Sequence, residues 1–549
     1  MIVASVRFTN VLVVVGGVYL VSKLAKRLLS KRHRTKGTPL TGPPKAHFLL
    51  GVSRTLSTAT DSADVYGAWA ATYGPVYEIP TALGGRRVVL HDPRAVNHFY
   101  QAERSVYVKT DSTRKTIANI FGRGLLWAEG EDHKRQRKAL TPAFSNAAIR
   151  RSTGVFYDSA HKLQGHWDAL IENAPDGAII EVENWMNRVA LDSIGIAGFG
   201  HDFRSVDGEP STVADVFDSM ALNGGRAATL SLIIFMLGTQ LPILAELPTP
   251  RNRLFKGLRR TLAGIADDLL AKSRKEKEAD TVAEKSIIGL LLKSEEDAAE
   301  LHMDQAEVVA QMNVLLLAGY ETTSISLTWA LIELCRNLDQ QAKLREELRK
   351  FGPQDATWDQ LGSSLPYLDA VVLETLRLHP ALPDTTRVAQ VDDIIPVSEP
   401  IHTKSGELVT EIIVPKDTVV TVSIRCMNRS PAFWGPDAAQ FNPERWLTFE
   451  RDGLRASEIQ GHRHLITFLD GPRTCLGKQF ALAEFKAVLS VLIKNYSFEL
   501  PDGPDTPIKE VLGLIQRPAL ASGSKPEIPL RLGYCSARVT GDLDDESLV

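Results

Sequence analysis

The sequence predicts a mainly α-helical protein with a small β-region, folded as one large unit. Apolar residues recur at helical spacing over 305–336, while runs rich in β-branched residues at 411–414 and 419–424 indicate short strands. No linker, repeat or low-complexity stretch divides 43–532. We therefore expect one large domain within the 549 residues, with segments of a different kind at its two ends.

The composition excludes several classes of protein. The net charge is −3 and 44% of the residues are hydrophobic, so nothing indicates a nucleic-acid partner. The four cysteines lie far apart and none belongs to a Cys-x-x-Cys pair, which argues against a disulfide framework or a structural zinc site. These four are Cys335, Cys426, Cys475 and Cys535. A reducing compartment is expected.

The first residues are apolar and a basic cluster follows them. A transmembrane helix needs about 20 residues, and 1–22 supplies them if Arg7 reaches the interface. A cleaved signal peptide carries its charge before the apolar core, whereas here seven basic residues lie within 23–36. A retained anchor is therefore favoured, with the rest of the chain in the cytosol. Thr38–Pro44 is a stiff, proline-rich spacer that would hold the domain off the membrane.

The two ends complete the predicted organisation. The last residues are acidic and poor in aromatic side chains, as is typical of a disordered tail. The sequence thus predicts a transmembrane anchor at 1–22, a basic and proline-rich hinge at 23–44, a catalytic domain at 45–532 and a disordered tail at 533–549.

A loop at 468–477 places one cysteine in front of a helix-forming run. Cys475 would lie at the N-terminus of the helix at 478–494, where unpaired backbone N–H groups and the helix dipole favour negative charge on sulfur. A lone cysteine is more often a small buried hydrophobe. The glycines around Cys475 instead favour a ligand, because Gly477 lets the backbone approach the sulfur. A thiolate with one open side is a good iron ligand.

This loop resembles the haem-binding loop of the cytochrome P450 family, aromatic-x-x-Gly-x-Arg-x-Cys-x-Gly. The matching residues are Phe468, Gly471, Arg473, Cys475 and Gly477. Leu469 departs from the pattern, since the family often has glycine there. The resemblance implies the cytochrome P450 fold and haem b with Cys475 as axial ligand, held also by Phe468, Gly477 and a contact from Arg473 to a propionate. A thiolate ligand favours O–O cleavage, unlike the histidine ligand of oxygen carriers.

Ala318–Thr323 lies within the long helical stretch 305–336. By itself it suggests a solvated glutamate and a threonine bonded to the preceding turn. It also matches the motif of the family's distal helix. The resemblance implies that Gly319 opens room for dioxygen, and that Glu321 and Thr322 route protons to it.

Glu374 and Arg377 are three residues apart on one face of a helix that ends before Pro380. Such a pair usually lies on the surface and contributes only a few tenths of a kcal/mol to stability. The resemblance instead implies a buried network of Glu374, Arg377 and Arg445 behind the cysteine loop, which holds the fold.

His133 and Arg137 are four residues apart and share a helix face. The family commonly has tryptophan at the first position, and histidine is associated with some fungal members. Both side chains could donate hydrogen bonds to a propionate. Arg387 matches a further propionate-binding arginine.

The resemblance implies a monooxygenase that inserts one atom of O2 into a C–H or C=C bond. No flavin or nicotinamide motif occurs in the chain, so NADPH electrons would come from a separate cytochrome reductase, with cytochrome b5 as a second donor. Lys134, Arg135 and Lys138 point away from His133 and could dock that donor. Two alternatives stay open: a haem-thiolate isomerase, dehydratase or peroxygenase that needs no reductase, and a haem-binding sensor or carrier.

The expected pocket segments 106–126, 221–247 and 381–386 are apolar, which indicates a lipophilic substrate. The stretch 227–247 is interrupted by Gly238, Gln240 and Pro242. A membrane crossing there would put His133 and Cys475 on opposite sides of the bilayer, so helices that roof the pocket and dip into lipid are expected, or an ordinary buried helix pair. The combined prediction is a single-pass protein of the endoplasmic reticulum membrane that tailors a terpenoid or another secondary metabolite in a fungus.

Overall fold

The structure is a computed structural model. It describes residues 36–174, 177–209, 250–278, 287–295, 301–512, 515–523 and 525–535. The predicted anchor, the first part of the hinge, the apolar stretch 227–247 and most of the tail lie outside the described residues.

Helices make up most of the described chain. In chain order they are α1 (Ser53–Thr58), α2 (Ser62–Tyr73), α3 (Pro93–Gln101), α4 (Asp111–Ile120), α5 (Gly130–Leu140), α6 (Asn146–Glu172), α7 (Val182–Phe199), α8 (Pro250–Glu278), α9 (Ile287–Ser294), α10 (Gln305–Arg336), α11 (Leu338–Phe351), α12 (Trp358–Ser363), α13 (Pro366–Leu378), α14 (Ile424–Asn428), α15 (Pro431–Trp434), α16 (Arg445–Asp452) and α17 (Lys478–Asn495). The prediction of a mainly helical fold with small sheets is confirmed.

Twelve short strands complete the described elements. They are β1 (Val76–Pro80), β2 (Arg86–Leu90), β3 (Tyr107–Val108), β4 (Ala178–Glu181), β5 (Thr385–Ala389), β6 (Asp393–His402), β7 (Leu408–Val414), β8 (Val419–Val422), β9 (Tyr496–Glu499), β10 (Ile508–Leu512), β11 (Gln516–Leu520) and β12 (Pro529–Tyr534). The largest sheet has the order β1-β2-β8-β5-β3, with β2 and β8 parallel and the other neighbours antiparallel.

The long helix α10 runs through the middle of the core. Asp304 caps its first turn by accepting a hydrogen bond from the backbone N–H of Glu307 at 2.7 Å. Among the described residues, α10 is the one helix that is long and apolar enough to cross a bilayer, but 83% of its apolar window is buried inside the protein. It is therefore a core helix, and its hydrophobic character comes from contacts on all sides.

The described part of the predicted hinge is packed against the domain. The backbone N–H of Thr38 donates to the carbonyl oxygen of Ile413 at 3.1 Å. The backbone N–H of Lys404 donates to the carbonyl oxygen of Pro39 at 2.7 Å. A Cβ on Gly42 would lie 1.9 Å from the carbonyl oxygen of Glu78, so only glycine fits there. Residues 36–42 therefore form a fixed strap along the β6–β7 hairpin.

The boundary of the predicted tail also differs from the structure. Gly533 and Tyr534 belong to β12 and pair with Ser497 and Tyr496 of β9. The folded domain thus continues past residue 532, because the last strand needs these residues to complete its pairing with β9.

Candidate active site

Cys475 lies two residues before Gly477, the residue that caps α17. Its backbone N–H donates to the carbonyl oxygen of Phe468 at 2.8 Å, which closes the loop onto itself. Gly471 has φ +64°, and a Cβ there would lie 2.4 Å from the carbonyl oxygen of Tyr100. The loop therefore needs glycine at this position in order to pack against α3.

Cys475 differs from the other three cysteines in exposure. Cys335, Cys426 and Cys535 are buried, whereas Cys475 is exposed. Burial raises the pKa of the Cys426 thiol to about 12 and raises that of Cys335 further, so both are small apolar side chains in practice. Only Cys475 can reach a ligand without rearrangement of the core.

Protein atoms also crowd the sulfur of Cys475 on its inner side. This burial raises the pKa of the thiol, while the backbone N–H of Gly477 and the charges of Arg137 and Lys478 lower it. The helix N-terminus thus stabilises the thiolate as expected, but desolvation outweighs it in the protein alone. Coordination to a metal deprotonates a thiol outright. A metal cation bound at the exposed side of the sulfur would therefore favour the thiolate of Cys475 over the thiol.

Leu469, where the sequence departs from the family pattern, adopts a backbone conformation that favours glycine. Leu469 has φ +59°, in the left-handed region where glycine is comfortable and a leucine is strained. Its side chain packs against the main hydrophobic core. The apolar contact therefore offsets a local strain of about 1–2 kcal/mol.

A buried ionic cluster lies beside the cysteine loop. Arg473 pairs with Glu129 and donates to the carbonyl oxygen of Ala128 at 3.1 Å. Lys109 Nζ lies 3.2 Å from Glu129 Oε1. Arg387 Nε lies 2.7 Å from Glu103 Oε1.

His133 and Arg137 of α5 complete this cluster. They line, together with Arg473, a cavity of about 300 Å³. Burial and the charges of Arg473, Lys109 and Arg137 lower the pKa of His133 to about 3, so it is a neutral hydrogen-bonding group. Burial also lowers the pKa of Arg137, which the nearby Cys475 partly offsets.

The chemistry of this donor set fits a ligand with two carboxylates, as haem has. Three arginines (Arg137, Arg387 and Arg473) face two acidic side chains, Glu103 and Glu129, and Lys109 lies beside them with a pKa that burial lowers to about 7. The buried Nε of Arg473 has no hydrogen-bond partner among the described residues. Uncompensated buried charge is costly, so this excess of basic groups favours binding of carboxylates next to the exposed sulfur.

On α10, Ala318 is exposed and Thr322 is half-buried one turn later. Thr322 Oγ1 donates to the carbonyl oxygen of Ala318 at 2.7 Å. Glu321 is 1% exposed and pairs instead with Arg517 of β11, whose Nε lies 3.2 Å from Glu321 Oε1. The structure thus places the acid and the hydroxyl of the motif on different faces of the helix, and proton delivery by Glu321 stays a prediction.

Gly319 lies where α10 crosses α7 closely. A Cβ at this position would lie 2.7 Å from Cγ1 of Ile194 on α7, closer than atoms can approach. The close crossing of α7 and α10 is therefore one reason for glycine here, and its expected role in making room for dioxygen stays a prediction.

The structure brings Glu374, Arg377 and Arg445 together. Arg377 donates to both carboxylate oxygens of Glu374 at 2.8 Å, and Arg445 Nε lies 3.5 Å from Oε1. The backbone N–H of Asn442 and the indole N–H of Trp446 supply two further bonds, at 2.9 and 3.0 Å. The three charged side chains of this network are buried, at 0% exposure for Glu374 and Arg377 and 5% for Arg445.

Sequence reasoning missed several residues around the site. Glu103, Lys109 and Glu129 belong to the ionic cluster, and Arg517 is the partner of Glu321. Each meets a residue at least 20 positions away along the chain, so no local spacing pointed to it. The one local signal was Glu129, an acidic residue directly before the basic helix α5.

Comparison with known proteins gives consistent matches. The family model described as Cytochrome P450 matches residues 41–522. A protein named Cytochrome P450 monooxygenase claP, from the fungus Ampulloclitocybe clavipes, is 53% identical over 536 residues, 96% of this chain and 99% of that protein. Cytochrome P450 monooxygenase claO from the same organism is 54% identical over 532 residues, 95% and 97% of the two chains. Cytochrome P450 monooxygenase 205 from Postia placenta is 33% identical over 496 residues, 88% and 89% of the two chains.

Proposed function

Because the chain belongs to the cytochrome P450 family and is a monooxygenase of that family, we propose that Cys475 is the axial ligand of its haem b. One observation carries this assignment: Cys475 is exposed while the other three cysteines are buried. The excess of buried cations beside it supports the same site. When bound, the haem supplies the centre at which dioxygen is reduced and one oxygen atom is transferred.

The protein's own groups hold this cofactor and manage protons. Arg137, Arg387, Arg473 and neutral His133 would bind the two propionates, with Phe468 and Gly477 against the ring. The hydroxyl of Thr322 donates its hydrogen bond to the carbonyl oxygen of Ala318. The lone pairs of Oγ1 can therefore accept a hydrogen bond from a water or from substrate. Thr322 is therefore the group proposed to pass a proton at the oxygen-binding side.

The first test replaces the ligand. Cys475→Ser should remove the thiolate-type absorption of the reduced, carbon-monoxide-bound form, since a serine hydroxyl is a far weaker iron ligand. Cys335→Ala is the matched control and should keep that spectrum, because Cys335 is buried in the core. A Cys475→Ser protein with an unchanged spectrum would refute the assignment.

A second variant tests the proton route. Thr322→Ala should bind haem normally but divert reducing equivalents to peroxide. Thr328→Val is the control, because Thr328 lies on the same helix, is buried and bonds the carbonyl of Ser324 at 2.9 Å in the same way. Equal coupling of NADPH to product in the two variants would show that Thr322 takes no part in proton delivery.

Electrons are proposed to come from NADPH through a separate reductase. Lys134 and Lys138 of α5 are exposed at the rim of the cavity beside Arg473, which suits docking of an acidic partner. Arg135, which was expected to share this role, is committed to Glu307 at 2.6 Å. Turnover that is independent of NADPH and reductase would favour the alternative, an isomerase or peroxygenase.

Residues 1–22 are proposed to anchor the protein in the endoplasmic reticulum membrane, with the domain in the cytosol. Their apolar character and the basic residues that follow support this. Deletion of residues 1–35 should release the protein from membranes and keep the haem spectrum, because the strap at 36–42 stays in place. A truncated protein that remains wholly membrane-bound would show that the anchor lies elsewhere.

The substrate is proposed to be lipophilic, with a terpenoid, sterol or fatty compound of fungal secondary metabolism as the favoured class. The apolar character of the expected pocket segments supports this, because pockets lined by apolar side chains take apolar ligands. Incubation of the reductase-coupled protein with a terpenoid and lipid extract, followed by mass analysis, should show oxygenated lipophilic products. Turnover of small water-soluble acids or amines alone would overturn this proposal.

A further inference from the structure

Glu103 is a buried acid beside the proposed haem site, in the short turn Ala102–Arg104 that follows α3. It is 1% exposed, and it lines the cavity of about 300 Å³ together with Arg137 and Arg473. Neither of its two carboxylate oxygens has a hydrogen-bond partner among the described residues. A buried acid with unused acceptors is costly, so its open oxygens at this cavity indicate a missing donor.

Arg387 of β5 lies close to Glu103 but does not supply that donor. Its Nε lies 2.7 Å from Glu103 Oε1, yet the N–H does not point at this oxygen, so the contact is an ion pair without a hydrogen bond. Arg387 Nη1 donates instead to Thr385 Oγ1 at 2.8 Å and to the carbonyl oxygen of Thr386 at 3.0 Å. The guanidinium is therefore oriented by its own strand and not by Glu103.

Glu129, the other acid of the same cluster, is bonded in the opposite way. It accepts hydrogen bonds from the backbone N–H of Lys109 at 3.1 Å and from Lys109 Nζ at 3.2 Å, and it pairs with Arg473. Glu129 therefore has the donors that an ionised carboxylate needs. Glu103 has positive charges nearby but no donor aimed at either oxygen.

The charges of the cluster show what haem would change. Haem brings two carboxylates, so the three arginines would face four carboxylates, two of them from Glu103 and Glu129. Burial lowers the pKa of Lys109 to about 7, and its ammonium is already bound to Glu129. Ionised carboxylates have only acceptors, so Glu103 and a haem carboxylate can form a hydrogen bond only if a proton lies between them.

The neighbours of Glu103 favour such a proton. Burial raises the pKa of Glu103 above its ordinary value of 4.5, and the charge of Glu129 raises it too. Tyr100 also faces this acid, and its Oη has no hydrogen-bond partner among the described residues. Three cations offset part of the rise: Arg387, Arg473 and Lys109. A haem carboxylate beside Glu103 would raise the pKa further, because a second negative charge disfavours the ionised form.

We propose that Glu103 is a further residue of the haem site, which binds as a neutral acid and donates a hydrogen bond to one carboxylate of the haem. The proton comes from the solvent and is taken up when the haem binds. This inference deepens the proposed function and rests on it for the position of the haem. Haem affinity gains from this bond at low pH and loses it as the pH rises through the pKa of Glu103 in the haem-bound protein.

The test measures the rate at which the full-length haem protein loses haem to an excess of apomyoglobin between about pH 6 and about pH 9. The wild type should lose haem faster as the pH rises, because ionised Glu103 repels the haem carboxylate. Glu103→Gln has an amide that donates at every pH. It should match the wild type at the acidic end and retain haem several-fold longer at the alkaline end.

Two further proteins sharpen this comparison. Glu103→Leu has no donor, so it should lose haem several-fold faster than the wild type at the acidic end. Glu346→Gln replaces an exposed glutamate of α11 and should follow the wild type at every pH. Lys109 titrates in the same range, but it is present in all of these proteins, so the difference between the wild type and Glu103→Gln reports on Glu103 alone.

Three outcomes would overturn the proposal. One is the same dependence on pH in Glu103→Gln and the wild type. Another is faster haem loss from Glu103→Gln at every pH, which would show that an ionised Glu103 is required. The third is a Glu103→Leu protein that retains haem as long as the wild type at the acidic end.

The proposal stays testable if Glu103→Leu takes up no haem, because the comparison of Glu103→Gln with the wild type then decides alone. The proposed function is tested separately by the spectrum of Cys475→Ser. The Glu103 variants leave the sulfur ligand in place, and their haem loss is compared only where the thiolate-type spectrum is intact at the start. A failure of this inference is therefore distinct from a failure of the haem site.

Discussion

Glu374 and Glu484 are the same residue type, both fully buried and both on helices behind the cysteine loop, yet their surroundings are opposite. Glu374 accepts two bonds from Arg377, with Arg445, Asn442 and Trp446 around it. Glu484 faces two hydroxyls and has no direct bond among the described residues. The first site therefore holds a charged carboxylate, and the second holds a protonated one.

The difference shows what each site can be used for. A carboxylate with every lone pair engaged is rigid, and removal of a partner leaves an unpaired buried charge. A neutral buried acid needs no cation beside it, but it must lose its proton or unfold as the pH rises. Glu374 thus holds Arg377 and Arg445 in the core, whereas Glu484 makes the stability of the fold depend on pH.

The largest expected effect comes from removing the carboxylate of Glu374, whose charge is compensated by buried arginines. Glu374→Gln leaves Arg377 buried without its carboxylate, while Arg445 keeps Asp437 at 2.8 Å. The unpaired charge of Arg377 should cost about 3–5 kcal/mol of stability. Thermal unfolding and the yield of haem-loaded protein measure this loss. Glu346→Gln, which breaks an exposed pair with Lys350, is the control and should change neither quantity. Equal stability of the Glu374 variant and the wild type would show that the network is not needed for the fold.

A smaller, pH-dependent effect is expected at Glu484. Its pKa of about 8 lies above the ordinary value of 4.5, so between these pH values the unfolded chain releases a proton that the folded protein keeps. Stability then falls as the pH rises through this window, by up to about 1.4 kcal/mol per pH unit. Glutamine does not titrate, so Glu484→Gln should gain stability relative to the wild type from pH 5 to pH 8.

Urea unfolding at several pH values measures this difference. Ser490→Ala is the control, because it alters a buried polar group of α17 that does not titrate. If the gap between wild type and Glu484→Gln stays constant from pH 5 to pH 8, the buried carboxyl is not protonated in the folded protein.

The smallest effect on stability is expected at the surface of α5. Arg135 is half-buried against Glu307, whereas Lys134 and Lys138 are exposed, and Lys134 pairs with the exposed Glu131 at 3.4 Å. Reversal of both lysines to glutamate should leave stability unchanged but slow reduction by the partner, most steeply at low salt, because charges are screened over about 10 Å at 0.1 M. Lys350→Glu, on α11, should not affect the rate. Salt-independent reduction at the wild-type rate would exclude this docking face.

The sequence by itself predicted the elements that depend on local pattern. The long helix α10 begins and ends at the expected residues, and α17 follows the cysteine loop as expected. Apolar periodicity and glycine in tight loops act within a few turns of chain, so they can be seen in one dimension. The same holds for the i,i+3 pair of Glu374 and Arg377, although only the family resemblance added Arg445.

Only the tertiary structure decided which charges are compensated. The partners of Arg473 and Arg387, the pairing of Glu321 with Arg517, and the close approach of Gly319 to Ile194 all join residues more than 100 positions apart. The state of Glu484 likewise depends on Ser193 and Thr323, which no spacing relates to it. Burial and electrostatic free energies are set by neighbours in space, and a sequence specifies those neighbours only through the complete fold.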